Sequence, residues 1–346
     1  MNYFTGSYIV SFIGVLLAWF WGEHINPGSG LISVFIILIL AILEVSLSFD
    51  NAVVNAMKLE KMNEKWRRRF LTWGIAIAVF GMRFLFPVLV VAVFAQISLI
   101  EVTKIAFTDS LKYAHYLHKT HAPIVAFGGT FLMMLFLSYF FDYDKDIHWI
   151  KHVEKKCQSY GDIKGIETLI TLLFLYTIQF KVVLEQRLSV VLSGIIGVLI
   201  YLLIDGVTHW LEKKEEDSTK LITQTVRGSG FIGFLYLELI DASFSLDGVL
   251  GAFALSKDIL IISIGLAIGA MFVRSLTIML VEKKTLGKFI YLEHGAHWAI
   301  GALAVIMLIS SFHEVPEVLT GIIGLIFIVM AFVSSLLHNK KVNGKV

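Results

Sequence analysis

Apolar residues in this chain run in long unbroken stretches rather than in alternation. Ten such stretches stand out, at 3–21, 30–57, 71–93, 123–141, 166–180, 188–211, 228–256, 259–281, 296–312 and 318–337. A helix needs about 20 mostly apolar residues to cross roughly 30 Å of hydrocarbon. The pattern therefore predicts an all-α polytopic membrane protein with about ten transmembrane helices. The stretch at 166–180 is the weakest, because it is short and carries Glu167 and Gln179. Continuous runs do not suit a β-barrel, whose strands alternate apolar and polar positions.

Composition narrows the class further. Of 346 residues, 57% are hydrophobic and only 16% charged, and the mean hydropathy is +0.79. A soluble globular enzyme needs more polar surface than this. With 29 basic against 27 acidic residues, no basic excess exists to neutralise phosphates, so nucleic acid is not an expected partner. The single cysteine, Cys157, excludes an intramolecular disulfide and a thiolate metal site. In alternate loops, 21 Lys and Arg fall on one side of the expected membrane against 6 on the other. The positive-inside rule then places both termini in the cytoplasm. Residues 1–21 hold no Lys or Arg, so they read as a retained helix rather than a cleaved signal. The simple topology suits a bacterial inner membrane.

The chain also repeats itself. Glu44-Val45-Ser46-Leu47-Ser48-Phe49-Asp50-Asn51 is echoed by Asp241-Ala242-Ser243-Phe244-Ser245-Leu246-Asp247-Gly248. In the next helices Gly74-Ile75-Ala76-Ile77 leads to Arg83, and Gly265-Leu266-Ala267-Ile268 leads to Arg274, at the same spacing. The two motif spans, 30–57 and 228–256, are five spans apart and so run in opposite directions. This predicts two inverted five-helix halves, 1–187 and 188–346, of the kind found in secondary transporters with midplane sites.

Glu44, Asp50, Glu238, Asp241 and Asp247 all fall inside expected spans. An acid near a helix centre costs roughly 2.5–3.5 kcal/mol on insertion scales, so such groups usually face a cavity, a partner or an ion. Carboxylate, hydroxyl and amide oxygens suit hard divalent cations such as Mg²⁺, Ca²⁺ and Mn²⁺. The motifs supply all three oxygen types: Glu44, Asp50, Asp241 and Asp247 as carboxylates, with Ser46, Ser48, Asn51, Ser243 and Ser245 as neutral oxygens. Glu238, three residues before Asp241, adds a ligand or proton acceptor on the same face. Arg83 and Arg274 read as internal counter-charges. Six positions separate the acids of each motif, which on an unbroken helix points them about 120° apart. One or both motif helices are therefore expected to unwind or kink at the serines. Acids that take up protons as metal leaves would couple transport to protons.

The paired motifs resemble the TerC-type integral membrane proteins, named for tellurium resistance and related to the LysE-like transporter superfamily. Glu44 to Ala52 is similar to that family's acid-x-x-Leu-Ser-x-Asp-Asn-Ala, and Glu238 to Asp247 to its Glu-x-x-Asp-x-x-Phe-x-x-Asp. The resemblance implies Mn²⁺ efflux, with Ca²⁺ in related groups, and Glu44, Asp50, Asp241 and Asp247 as ligands with Asn51 nearby. Gly248 departs from the family's usual Ser.

Three readings follow. The leading one is a divalent-cation transporter, not an enzyme, needing no cofactor beyond its cargo. The second is a metal-responsive membrane scaffold that docks cytoplasmic stress proteins through the 142–165 loop, read as solvated. The third is an intramembrane enzyme in which Asp50 and Asp247 imitate an aspartyl dyad. Partners are lipid and divalent cations, with homo-oligomerisation left open.

Overall fold

The computed structural model describes residues 3–77, 81, 85–143, 145–218, 258–283, 289–313 and 315–343. Between 219 and 257 it describes 231, 233–235, 237–239, 241, 252, 255 and 256. At Asp50 it describes the backbone but not the side chain. The described chain is helical: α1 (Thr5–Ile25), α2 (Gly30–Leu47), α3 (Phe49–Lys61), α4 (Glu64–Ala76), α5 (Phe86–Ala95), α6 (Leu99–Thr108), α7 (Ser110–Phe141), α8 (Lys151–Gln158), α9 (Ile166–Ile178), α10 (Arg187–Ser218), α11 (Ile259–Lys283), α12 (Leu292–Ser310) and α13 (Glu317–Asn343).

Seven stretches, rather than ten, are long and apolar enough to span a bilayer among the described residues. They are Thr5–Ile25, Gly30–Leu47, Leu111–Phe141, Leu184–Val207, Ile259–Lys283, Leu292–Ser310 and Ile322–Lys341. The protein is thus a multi-pass membrane protein; of the other three expected runs, one forms a shorter helix and two lie partly outside the described residues. The apolar run at 166–180 makes a helix of only 13 residues, about 20 Å long at 1.5 Å per residue. The run at 71–93 is divided between α4 and α5, with 78–80 and 82–84 outside the described residues. Most of 228–256 also lies outside them, so the two expected inverted repeats have no structural comparison here.

The chain forms two compact units, each discontinuous in sequence. The first comprises Met1–Ala56, Arg68–His121 and Glu238–Glu282. In it α1 and α2 pair through a short turn. Gly28 takes a left-handed φ of 92°, and its N–H donates to Glu23 Oε2 at 2.8 Å. Ser7 Oγ donates to the Met271 carbonyl at 2.9 Å, tying α1 to α11. Asp258 caps α11: Oδ1 accepts from Leu260 N at 2.8 Å, and Oδ2 from Trp21 Nε1 at 2.7 Å. Glycines set how closely α11 meets α2. A Cβ on Gly265 would lie 2.6 Å from Leu40 Cβ, and one on Gly269 would overlap Glu44 Cβ and lie 2.8 Å from the Ala41 carbonyl. Small residues four apart allow this backbone approach, which bulkier side chains would prevent.

The second unit comprises Met57–Arg67, Ala122–Leu237 and Lys283–Val346. Thr130 Oγ1 reaches across from α7 to the Gly194 carbonyl of α10 at 2.8 Å. The segment at 142–165, expected to be a solvated loop, is largely exposed but is anchored through one buried acid. Glu154 on α8 is 1% exposed. Its carboxylate accepts from Trp149 N at 2.9 Å, Ile150 N at 3.2 Å and Trp298 Nε1 at 3.2 Å. His294 Nδ1 lies 2.9 Å from Oε2, and because an ionised carboxylate only accepts, that nitrogen carries the proton. Burial alone would raise the Glu154 carboxyl, but its bonds to His294, Ile150 and Trp298 hold it down at about 2. Beside it, the Lys145 ammonium sits 3.5 Å from the centre of the Tyr139 ring, and burial lowers it to about 8.

Two outcomes are expected. Gly269→Ala forces α2 and α11 apart and lowers stability by about 1–3 kcal/mol. Gly206→Ala, where an added Cβ meets nothing within 4 Å, leaves it unchanged or raised. Thermal unfolding in detergent compares them. For Glu154, a carboxyl held below its ordinary 4.5 contributes stability that is present above that value and lost as pH falls through about 2. The difference in Tm between wild type and Glu154→Gln is therefore largest near neutral pH and shrinks on acidification. A difference independent of pH would refute this account.

Candidate polar site in the first unit

The first motif helix breaks where its acids require it. α2 ends at Leu47, and Ser48 has φ −104° and ψ 14°, outside helical geometry. α3 restarts at Phe49. The Ser48 hydroxyl turns back to donate to Glu44 Oε1 at 2.9 Å. Glu44 is 1% exposed, so this bond and the close approach of Gly269 enclose its carboxylate.

Beyond the break, Ser48, Asn51 and Asn55 recur at i, i+3 and i+7 and share one helix face. On α11, Ala270, Val273, Arg274 and Thr277 do the same. These residues, with Asp241, line a cavity of about 30 Å³. One water needs roughly 10–15 Å³ measured this way. The space therefore suits a water or two or a bare ion and excludes an organic solute. Asn55 Nδ2 donates to Asp241 Oδ1 at 2.7 Å, joining α3 to the start of the second motif.

Glu238 and Arg274 lie against the same region. Both are buried, at 7% and 5% exposure. A Cβ on Gly74 would overlap Arg274 Nη2 and lie 3.0 Å from Glu238 Oε1. Gly74 thus gives the guanidinium room beside that carboxylate. Arg274 Cζ sits 4.0 Å from the centre of the Phe70 ring.

Of the expected site residues, the structure brings together Ser48, Asn51, Asp241 and Arg274 around the cavity, with Glu44 bonded to Ser48. Ser46 does not join them: it is exposed and donates to its own helix at Ile42. Arg83, Ser243, Ser245 and Asp247, and the side chain of Asp50, lie outside the described residues. Among the described residues no cluster of three or more His, Cys, Asp or Glu is placed to hold a metal ion. Asn55, Gly74 and Phe70 are among the residues of the site to which the sequence reading assigns no role. Asn55 was signalled by its four-residue spacing from Asn51. Gly74 opened the second repeated element but had no role assigned to it. Phe70 gave no signal.

Comparison with known proteins places the chain by descent. The family described as "Protein of unknown function (DUF475)" matches residues 49–342. The chain belongs to that family. The uncharacterized membrane protein YceF of Bacillus subtilis (strain 168) is 34% identical over 113 residues, covering 31% of this chain and 43% of that protein. The chain thus spans less than half the length of the relative it matches. No solved structure matches. The DUF475 match overturns the resemblance to TerC-type and LysE-like proteins. Short acid–serine motifs answer the cost of putting carboxylates in a bilayer, so they report chemistry more than ancestry.

Asn55→Leu removes the hydrogen bond that Asp241 Oδ1 accepts at 2.7 Å, and the expected loss is about 1–3 kcal/mol. Ser46→Ala is expected to stay within about 0.5 kcal/mol of wild type. Thermal unfolding of both variants in the same detergent decides whether the Asn55–Asp241 bond supports the site.

Proposed function

We propose that this DUF475 protein is a divalent-cation transporter that exports its cargo through the polar site of the first unit. The observation that carries the reading is a small cavity at a broken membrane helix, lined by Asn51, Asn55 and Asp241, with buried Glu44 and Glu238 close by. Buried intramembrane acids are costly and usually mark an ion or proton path. Helix irregularities at membrane depth are tolerated where they line a cavity. The donors are all oxygens, which favours hard cations over Zn²⁺ or Cu⁺. Mn²⁺ and Ca²⁺ are both to be tested, because with the family resemblance overturned the ligand chemistry admits either.

The finer parts of the reading are proposals of the same standing. Asp50 and Asp247 complete the ligand set, with Ser245 as a further oxygen and Arg83 as a second counter-charge. The halves 1–187 and 188–346 are inverted repeats, and protons replace the metal on its release. The protein resides in a bacterial inner membrane with cytoplasmic termini, and performs no bond chemistry. The scaffold reading gains no support from the 142–165 segment, which Glu154 ties into its own unit.

Total metals in a manganese-sensitive host expressing wild type, Glu44→Gln or Asp241→Asn test the proposal. Lower cell Mn²⁺ with wild type only, at equal protein levels, is the expected result. Lowered Ca²⁺ instead would keep the mechanism and change the ion. No change in any metal would refute transport.

A further inference from the structure

In the second unit, the segment between α7 and α9 carries α8 at the level where the membrane ends. A Cβ on Gly161 would overlap the carbonyl of Phe141, the last residue of the spanning stretch Leu111–Phe141. Glu154 on α8 bonds His294 and Trp298, which lie in the first two turns of α12. With 19 residues, α12 is about 28 Å long at 1.5 Å per residue. It needs its whole length to cross roughly 30 Å of hydrocarbon, so its first turns lie at a bilayer edge. Burial of Glu154 takes the one acid of α8 off its surface. Lys151, His152, Lys155 and Lys156 stay exposed, as two pairs each one turn apart. The result is a face with three lysines and no acid. Exposed Val153 adjoins it, and exposed Tyr160 and Ile163 follow α8 in the chain. The acids Asp142, Asp144, Asp146 and Asp162 fall outside α8.

We infer that α8 is an interfacial helix that binds anionic lipid: Lys151, Lys155 and Lys156 engage headgroup phosphates, and Val153 packs at the headgroup boundary. Charge complementarity selects this partner. Each lysine beside an anionic leaflet strengthens binding about fivefold, whereas a zwitterionic leaflet carries no net charge to attract it. Apolar and aromatic side chains interleaved with lysines suit an interface better than open water. Glu154 makes the face in two ways. Turned outward and ionised, it would cancel one of the three charges. Turned inward, it leaves all three uncancelled and fastens α8 at the height of the headgroups. The site lies wholly in the second unit and does not depend on the transport reading.

The test titrates phosphatidylglycerol or phosphatidylcholine into micelles of the purified full chain and follows Tm. Wild type is expected to gain stability with phosphatidylglycerol and not with phosphatidylcholine, and the gain shrinks at high salt. The triple variant Lys151→Gln, Lys155→Gln, Lys156→Gln should need about a hundredfold more phosphatidylglycerol for the same gain. Arginine at the same three positions should keep the wild-type response, because the charge is kept. A second measurement reads the location directly. Val153→Cys, labelled with a fluorophore in a Cys157→Ser background, goes into nanodiscs containing lipid with brominated chains. Stronger quenching is expected in discs with phosphatidylglycerol than in discs of phosphatidylcholine alone. A triple glutamine variant with the wild-type response overturns the inference, as does a label quenched equally in both discs. Wild type that responds equally to the two lipids also overturns it, and leaves the basic face to a soluble acidic partner.

Discussion

A carboxylate held inside a bilayer must find donors within the protein, and Glu44 sets the local architecture through that need. Its position four residues before Ser48 brings the hydroxyl within 2.9 Å, and the helix gives way at that serine. Gly269 on α11 lacks a side chain where the stem of Glu44 passes. A continuous apolar helix with a larger residue at 269 would satisfy the membrane better and leave no polar site. The break, the glycine and the serine are each unfavourable or neutral taken singly. Together they accommodate one buried acid and open a cavity beside it.

The two units answer the same electrostatic problem in contrasting ways. Glu154 is met by two backbone N–H groups, an indole and an imidazole. Four donors saturate a carboxylate and leave it nothing to exchange. Glu238 is buried to a similar degree without a hydrogen bond to either oxygen among the described residues. A sealed acid fastens a segment in place, whereas Glu238 keeps both oxygens without a hydrogen bond among the described residues. The contrast distinguishes a joint from a candidate binding group more sharply than burial does.

Much of this was legible in the residues. The apolar runs give the helical membrane class, and the acid–serine spacing gives the break in the first motif helix. What was hidden falls into three kinds. Run length cannot distinguish a spanning helix from a shorter one, so the stretch ending near Phe180 is apolar enough but its helix is too short to cross. Glu154 sits in a charged segment that reads as solvated, because its partners His294 and Trp298 lie 140 and 144 positions away. Gly74 and Phe70 matter only through where Arg274 comes to rest, which no local pattern encodes. The family follows from a match over residues 49–342, which two short motifs do not determine.

The size of the cavity bears on which ion the proposed transporter would carry. A space of about 30 Å³ cannot admit an ion with its full water shell, so cargo must shed water on entry. Mg²⁺ gives up its shell reluctantly and demands near-ideal octahedral geometry. Ca²⁺ accepts irregular oxygen cages. Mn²⁺ shares the preference for carboxylate and carbonyl oxygens. Ligands arriving from a broken helix, a neighbouring helix and a second motif are not arranged as a regular octahedron by any single element. A small, irregular oxygen site of this kind would discriminate against Mg²⁺ by the cost of dehydration. This matters because ligand type alone does not separate Mg²⁺ from the other two ions.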